Sequence, residues 1–131
     1  MADTQRPLSP HLQIYKWQVQ MMTSIVHRAT GIALAVGTLV VLWGLLALAG
    51  GESAFNQFRT CMGSPIGLVL LFGWTWALFY HLCNGIRHLI QDAGAGYEIA
   101  QFVRSSWASI IVSIVLTVAV WAYVLTAGGA A

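Results

Sequence analysis

Three long blocks without charge constrain this chain more than any other feature of its sequence. Residues 29–51, 65–86 and 105–131 contain no Asp, Glu, Lys or Arg, which gives blocks of 23, 22 and 27 residues. A helix needs about 20 apolar residues to cross the hydrocarbon core of a bilayer. Each block is long enough to span a membrane, so the sequence predicts an all-α integral membrane protein with three transmembrane helices.

Local signals place the helix ends within these blocks. The helices are predicted over about residues 24–49, 65–91 and 105–127. Gly50 and Gly51 end the first apolar run, and Pro65 suits the first turn of the second helix. Residues 1–23 are polar and contain two prolines, so we expect an arm along the membrane surface or against a partner. Residues 24–131 then form one transmembrane domain.

The cationic residues are distributed unequally between the two sides of such a domain. The N-terminal segment and the second connection carry five of the six cations, namely Arg6, Lys16, Arg28, Arg87 and Arg104. The first connection carries Arg59 alone. Because Lys and Arg are enriched in loops on the cytoplasmic side, the N-terminus is predicted on the cytoplasmic or matrix side.

Composition excludes several classes of protein. Only 8% of the residues are charged, against about a quarter in ordinary soluble domains. A chain of 131 residues is too short for a separate catalytic domain beside a membrane anchor. The formal net charge of +2 comes from scattered residues, so no nucleic-acid-binding patch is predicted. Cys61 and Cys83 fit no metal-ligand spacing and are predicted to be free thiols.

Two polar clusters interrupt the apolar helices, and such residues inside a membrane usually face a cavity, a partner or a ligand. The first contains Ser24, His27, Arg28, Thr30 and Gly31, and the second contains His81, Asn84, Gly85, Arg87 and His88. Counting from the opposite membrane face places His27 and His88 at similar depth. His81 lies seven residues deeper than His88, about 10 Å at 1.5 Å per residue, and on the same helix face.

His81 has the depth and surroundings that a b-type haem requires. A neutral imidazole can ligate iron, and Gly85, one turn away, lets the flat macrocycle approach the helix. Cationic side chains at the interface can neutralise the propionates, and the candidates are His27, Arg28, Arg87 and His88. His81 and His88 cannot ligate one iron, because they lie two turns apart on one face. A second histidine ligand would therefore come from another chain.

These residues also have structural interpretations. His81 can instead be a buried histidine that hydrogen-bonds a neighbouring helix, and the sequence weighs the two alternatives about equally. Arg87, His88 and Asp92 can form a solvated cluster at the membrane surface. Asn84 is expected to form hydrogen bonds between helices.

Ser24, His27 and Arg28 suggest a second ligand. Hydroxyl and guanidinium donors on adjacent turns, at the edge of an apolar bundle, can hydrogen-bond the carbonyl oxygens of a quinone and stabilise charge during its reduction. The structural alternative, which these residues by themselves favour, is a helix terminus with a cap and a snorkelling arginine.

Three motifs, taken together, resemble the cytochrome b subunits of succinate dehydrogenase, the membrane anchors of succinate:quinone oxidoreductases. They are RPLSPHL at residues 6–12, SIVHRATG at 24–31 and HxxxGxRHxxxDxG at 81–94. Each motif is short, but their order and spacing are jointly specific. With the three-helix layout, the resemblance spans nearly the whole chain.

The resemblance implies a site and an assembly. The chain is then half of a heterodimeric anchor bundle in a bacterial or mitochondrial inner membrane, and His81 is an axial ligand of haem b. The other axial histidine comes from a second small anchor subunit. Ser24 and Arg28 help to form the ubiquinone pocket, while His27 and Arg28 lie toward the haem propionates. Electrons arrive from a flavoprotein subunit through an iron–sulphur subunit, so this chain does not itself oxidise succinate.

Other functions are compatible with parts of this pattern. The anchor of a related fumarate reductase shares these features, and the sequence does not decide the direction of the reaction. A non-redox scaffold would use His81 and Asn84 only as hydrogen-bonding groups between helices. An ion- or proton-conducting subunit is disfavoured, because it calls for a carboxylate within the helices, whereas Glu52, Asp92 and Glu98 lie at helix ends or in loops.

Overall fold

The computed structural model describes residues 14–127. In that range the chain forms four helices and no strand: α1 (Val19–Ala49), α2 (Glu52–Met62), α3 (Pro65–Asp92) and α4 (Ile99–Ala127). By length and composition α1, α3 and α4 can each cross a membrane. The prediction of an all-α, multi-pass membrane protein is confirmed. The RPLSPHL motif and most of the predicted N-terminal arm lie outside the described residues, as do residues 128–131.

Two of the long helices begin before the uncharged blocks do. α1 begins at Val19, whereas the charge pattern predicts a start near residue 24, and α4 begins at Ile99 rather than near residue 105. Helical backbone hydrogen bonds do not need uncharged side chains, and no Pro or Gly interrupts residues 19–23 or 99–104. The point at which charges disappear from the sequence therefore does not locate the first residue of these helices.

The start of α3 is defined by a cap. Ser64 Oγ accepts a hydrogen bond from the backbone N–H of Gly67 at 3.1 Å. Pro65 follows at the first helical position, where its missing N–H leaves nothing unpaired. The connection between α1 and α3 begins where α1 ends, at Ala49. Gly51 then turns the chain with a φ of 101°, a backbone conformation that favours glycine.

A short amphipathic helix, α2, occupies the connection between α1 and α3. The charge-free blocks of the sequence do not predict this helix. Its half-buried apolar residues are Ala54, Phe55, Phe58 and Met62, and its polar residues are exposed. The Phe58 ring packs on Gly44 so closely that a Cβ at Gly44 would lie 2.8 Å from its Cζ atom. With 11 residues, α2 is too short to span a bilayer, so the number of membrane spans stays at three.

α3 packs between α1 and α4 and runs antiparallel to both. Between α1 and α3, Thr23 contacts Tyr80 and the later Gly37 contacts the earlier Trp74. Between α3 and α4, Arg87 contacts Ser105 and the earlier Phe72 contacts the later Trp121. The polar cluster of α3, residues 81–88, is therefore enclosed by the start of α1 and the start of α4.

Burial in this bundle is the reverse of that in a soluble protein. In the described range the buried apolar residues are Ala47, Ala77 and Tyr80, while long apolar side chains face outward. The buried polar or charged residues are Thr23, Thr30, Asn84, Arg87, Gln91, Ser106, Ser109, Ser113 and Thr117. Where lipid replaces water, helices associate through small and hydroxyl-bearing residues rather than by burying leucines. This distribution is what a membrane bundle requires.

Candidate functional site

His81 faces α1 and is held there through one ring nitrogen. Its Nδ1 atom lies 3.2 Å from the backbone carbonyl oxygen of His27 and 3.3 Å from the hydroxyl oxygen of Thr30. A carbonyl oxygen only accepts hydrogen bonds, so Nδ1 carries the proton and Nε2 carries the free lone pair. Metal-binding histidines typically have this arrangement, in which the second nitrogen donates to a backbone carbonyl.

The rings of His27 and His88 lie beside His81. The His27 ring stacks on the His81 ring with 3.9 Å between centroids and 12° between planes. The centroid of the His88 ring lies 5.0 Å from that of His27. Nδ1 of His27 is buried without a hydrogen-bond partner among the described residues. The fold thus brings the histidines of the two predicted polar clusters together.

These imidazoles do not form a metal site by themselves. Within residues 14–127, no group of three or more His, Cys, Asp or Glu side chains is arranged to hold a metal ion. The rings of His27 and His81 meet face to face rather than converging through their nitrogens. A metal at His81 would therefore need further ligands from a cofactor or from another chain. Cys61 and Cys83 are free thiols, as predicted.

A glycine of α1 allows the close approach of that helix to His81. A Cβ atom at Gly31 would lie 3.1 Å from Cε1 of His81, which is tighter than nine in ten real contacts of this kind. A Cβ at Gly85 would lie 3.9 Å from Cε1 of His27, an ordinary contact distance. The closest approach to the imidazole is therefore at Gly31, a residue that the sequence motif contains but to which sequence reasoning gave no separate role.

Ser24 and Arg28 lie one turn apart in α1. Ser24 is half-buried and Arg28 is exposed, and in the part of the chain that the structure describes no hydrogen bond occupies either side chain. The N-cap of α1 is Gln18, so Ser24 is not the helix cap that the structural alternative supposed. Both donors are available to a ligand or to a neighbouring chain.

The structure corrects the interpretation of Arg87 and Asn84. Arg87 is 6% exposed, so it is not a snorkelling side chain at the surface. Its Nε donates to the Ser105 hydroxyl at 3.0 Å and its Nη1 donates to Oδ1 of Asn84 at 3.2 Å. The Asn84 amide nitrogen then lies 3.2 Å from Nε2 of His88. Asn84 therefore bonds within α3, and Arg87, not Asn84, connects α3 to α4.

Tyr80 is a residue of this region that sequence reasoning missed. It is 1% exposed, and its hydroxyl donates to the carbonyl oxygen of Thr23 at 3.0 Å. Because Tyr80 directly precedes His81, this bond fixes α3 against α1 beside the histidine. A usable signal was present, since a tyrosine within an apolar helix needs a partner for its hydroxyl when it is buried.

Comparisons with known proteins agree with this architecture over most of the chain. A family model described as succinate dehydrogenase/fumarate reductase transmembrane subunit matches residues 2–120. The succinate dehydrogenase cytochrome b556 subunit of Paracoccus denitrificans is 46% identical over 121 residues, which cover 90% of this chain and 93% of that protein. The subunit of the same name from Rickettsia felis is 42% identical over 116 residues, 88% of this chain and 90% of its own length.

A mitochondrial relative is similar to the same extent. The succinate dehydrogenase cytochrome b560 subunit of Sus scrofa is 44% identical over 117 residues, which cover 86% of this chain and 66% of the pig protein. The fold and these matches together indicate a multi-pass membrane subunit of an enzyme complex. Within that class, the chain belongs to the succinate dehydrogenase/fumarate reductase transmembrane subunit family. The resemblance carried by the sequence motifs is thereby confirmed.

Proposed function

We propose that this chain is the haem b-binding membrane anchor of a succinate dehydrogenase and that it helps to form the quinone-reduction site. The observation that carries the proposal is the orientation of His81, whose Nδ1 is bonded to α1 while Nε2 keeps its lone pair. The family description covers fumarate reductase as well. The anchor of a fumarate reductase is therefore the second candidate, with the same groups and the opposite direction of electron flow.

The residues around His81 fit a haem. Nε2 of His81 is the proposed axial ligand of the iron, and the cytochrome names of the Paracoccus and pig relatives support a haem b here. His27, whose buried Nδ1 lacks a partner in the described range, and the exposed Arg28 are proposed to lie on the propionate side. When bound, the haem supplies one-electron transfer. The second axial histidine is proposed to come from a second small anchor subunit, so that the haem is shared and this chain is half of the bundle.

Ser24 and Arg28 are proposed to bind ubiquinone. Their hydroxyl and guanidinium groups donate hydrogen bonds to the quinone carbonyl oxygens, where negative charge develops during reduction. Two electrons from an iron–sulphur subunit and two protons from the aqueous side convert the quinone to the quinol. No hydrogen bond occupies these side chains among the described residues, so both donors are free to bind an oxygen ligand, which supports this role.

The proposed assembly leaves succinate oxidation to other subunits. A flavoprotein subunit oxidises succinate and passes electrons to the iron–sulphur subunit, so this chain contributes no succinate site. The unequal distribution of cations supports an N-terminus on the cytoplasmic or matrix side of a bacterial or mitochondrial inner membrane. Membrane lipid then covers the outward-facing apolar side chains of α1, α3 and α4 that the partner anchor leaves exposed.

The haem assignment is tested by a reduced-minus-oxidised optical spectrum of the purified complex. We expect His81→Ala to abolish the b-haem signal while the complex still assembles, because the axial nitrogen is lost. Arg59→Ala removes an exposed side chain from α2, in the connection between α1 and α3, and is the control, which should keep the signal. An unchanged spectrum in assembled His81→Ala would contradict the assignment.

The quinone assignment is tested by comparing two electron acceptors. We expect Arg28→Ala and Ser24→Ala to lower the rate of ubiquinone reduction by about tenfold or more, since a donor to the developing charge is removed. Succinate oxidation with an artificial dye acceptor should stay near the wild-type rate. Arg59→Ala removes an exposed cation from α2 and should leave both rates unchanged. Equal loss of both activities in the Arg28 and Ser24 variants would refute a quinone-specific role.

A further inference from the structure

Thr30 lies against the proposed haem ligand and has a hydroxyl that the proposed function does not use. The residue is 4% exposed. Its Oγ1 atom lies 2.9 Å from the carbonyl oxygen of Val26, 2.9 Å from that of His27 and 3.3 Å from Nδ1 of His81. One hydroxyl of α1 therefore contacts both its own helix and the histidine of α3.

The proton positions follow from the groups that surround this hydroxyl. The Thr30 hydroxyl donates its single proton to one of the two helix carbonyls, because these carbonyl oxygens can only accept. The N–H of His81 points at the His27 carbonyl at 3.2 Å, so it is not available as an acceptor. The lone pairs of Thr30 Oγ1 then face the same N–H, which is shared between two acceptors in a three-centre hydrogen bond.

The surroundings hold His81 in this geometry. The His27 ring stacks on one side of the imidazole, and the Cα of Gly31 lies so close that a Cβ would be 3.1 Å from Cε1 of His81. The hydrogen bond of Tyr80 to Thr23 fixes the preceding residue of α3. His81 therefore has little freedom to exchange Thr30 for another acceptor.

We propose that Thr30 is a positioning residue for the haem ligand, which acts as the second acceptor of the His81 Nδ1 proton and so adjusts the basicity of Nε2. The inference rests on the proposed function, since it requires His81 to ligate the iron. An acceptor at Nδ1 makes a histidine a more basic ligand, and a more basic ligand stabilises the oxidised, more positively charged iron. Removing the acceptor should therefore raise the midpoint potential of the haem.

The test is a redox titration of the b haem in the intact complex, followed by its optical difference spectrum. Thr30→Val keeps the β-branched shape and removes the hydroxyl, and we expect it to favour the reduced haem by about fivefold, the effect of one typical hydrogen bond. This corresponds to an upward shift of about 40 mV at 59 mV per tenfold for one electron. Thr30→Ser keeps the oxygen and should stay near the wild-type potential.

The matched control lies on α4. Thr117 is 1% exposed and its Oγ1 donates only to the carbonyl oxygen of Ser113 in its own helix, at 2.7 Å. Thr117→Val removes an equally buried hydroxyl that has no contact with His81, so the potential should not change. Thr30→Ala provides a second variant without the hydroxyl in case Thr30→Val does not assemble.

Each possible result of the redox titration either supports or contradicts the proposed role of Thr30. The proposal is supported if the midpoint potential of the haem rises in Thr30→Val or Thr30→Ala but not in Thr30→Ser or Thr117→Val. Selective loss of haem from the assembled hydroxyl-free variants also supports it. An unchanged or lowered potential, an equal shift in Thr30→Ser, or failure of both hydroxyl-free variants to assemble would overturn it. His81→Ala distinguishes failure of the Thr30 role from failure of the proposed function, which is refuted if the assembled variant keeps its b-haem spectrum.

Discussion

Arg87 is buried between α3 and α4 with hydrogen bonds to two uncharged side chains. Its Nε and Nη1 atoms donate to Ser105 and Asn84, and its guanidinium carbon lies 4.3 Å from the centroid of the Phe102 ring. Nη2 is buried without a partner among the described residues. A planar guanidinium can bond two acceptors and cover an aromatic face at once, which the ammonium of lysine cannot do.

This geometry predicts that Arg87→Lys destabilises the complex although the charge is kept. The single ammonium group cannot reach both Ser105 and Asn84, so at least one buried polar group loses its partner at a cost of about 1–3 kcal/mol. The measurement is the midpoint temperature of thermal inactivation of the detergent-solubilised complex. Arg104→Lys, at an exposed position of α4, is the control and should be neutral. Equal stability of the Arg87 and Arg104 variants would contradict this view of Arg87.

At the scale of elements, α1 presents a regular row of small residues to its neighbours. The row is formed by Thr23, Thr30, Gly37 and Gly44, each seven residues after the one before. These positions contact the side chains of Tyr80, His81, Trp74 and Phe58, respectively. Seven residues make about two helical turns, so these four small residues lie on one face of α1. Each of them contacts one side chain that carries a ring, and His81 is one of these side chains.

The row predicts that Gly37→Ala disturbs the packing of α1 on α3. A Cβ at Gly37 would fall inside the van der Waals distance of the Trp74 indole ring, and overpacking of this kind costs about 1–3 kcal/mol. We expect a lower yield of assembled complex and a lower temperature of thermal inactivation. Gly73→Ala is the control, because no atom lies within 4 Å of the Cβ it would add.

A second substitution checks the cause. Trp74→Phe in the Gly37→Ala background removes part of the indole ring and should restore some of the lost stability. If Gly37→Ala proves as harmless as Gly73→Ala, or if the double variant is no more stable than the single one, the ring-on-glycine contact does not determine the packing of these helices.

The elements differ in how far the sequence predicts them. The membrane spans are predictable because a continuous block of about 20 apolar residues can be read from the local sequence without knowledge of tertiary contacts. The helix α2 also has a readable signal, since Phe55, Phe58 and Met62 recur at helical spacing, but a search for charge-free blocks passes over it. The first residues of α1 and α4 cannot be read from charge, because both helices begin in the more polar sequence before the uncharged blocks.

The site is less predictable than the spans. Counting along the helices places His27 level with His88 and His81 about 10 Å deeper, whereas in the fold the His27 ring stacks on the His81 ring. The partners of Arg87 and of His81 Nδ1 depend on how α3 is rotated against α1 and α4. That rotation is set by packing between helices that are distant in sequence, so sequence reasoning could not show that Arg87 turns toward Ser105 or that Thr30 meets His81.

At the scale of the whole molecule, the groups available for chemistry collect at one end of the bundle. Five buried side-chain polar atoms have no partner among the described residues. Trp74 Nε1 lies in the first half of α3, and the other four lie near the start of α1 or the end of α3, namely Gln20 Oε1, His27 Nδ1, Arg87 Nη2 and Gln91 Nε2. Buried polar groups in proteins are nearly always hydrogen-bonded. We therefore expect the partner subunits and the proposed ligands to complete the molecule at this end, where the cations are also concentrated.

Chemical rescue tests most directly whether the imidazole of His81 ligates a haem. The measurement is the reduced-minus-oxidised optical spectrum of the purified complex carrying His81→Gly, recorded with and without added imidazole. We expect the b-haem absorption to be lost in the variant and to return when imidazole occupies the space left by the side chain. A b-haem spectrum that persists in the assembled His81→Gly complex without imidazole would contradict it.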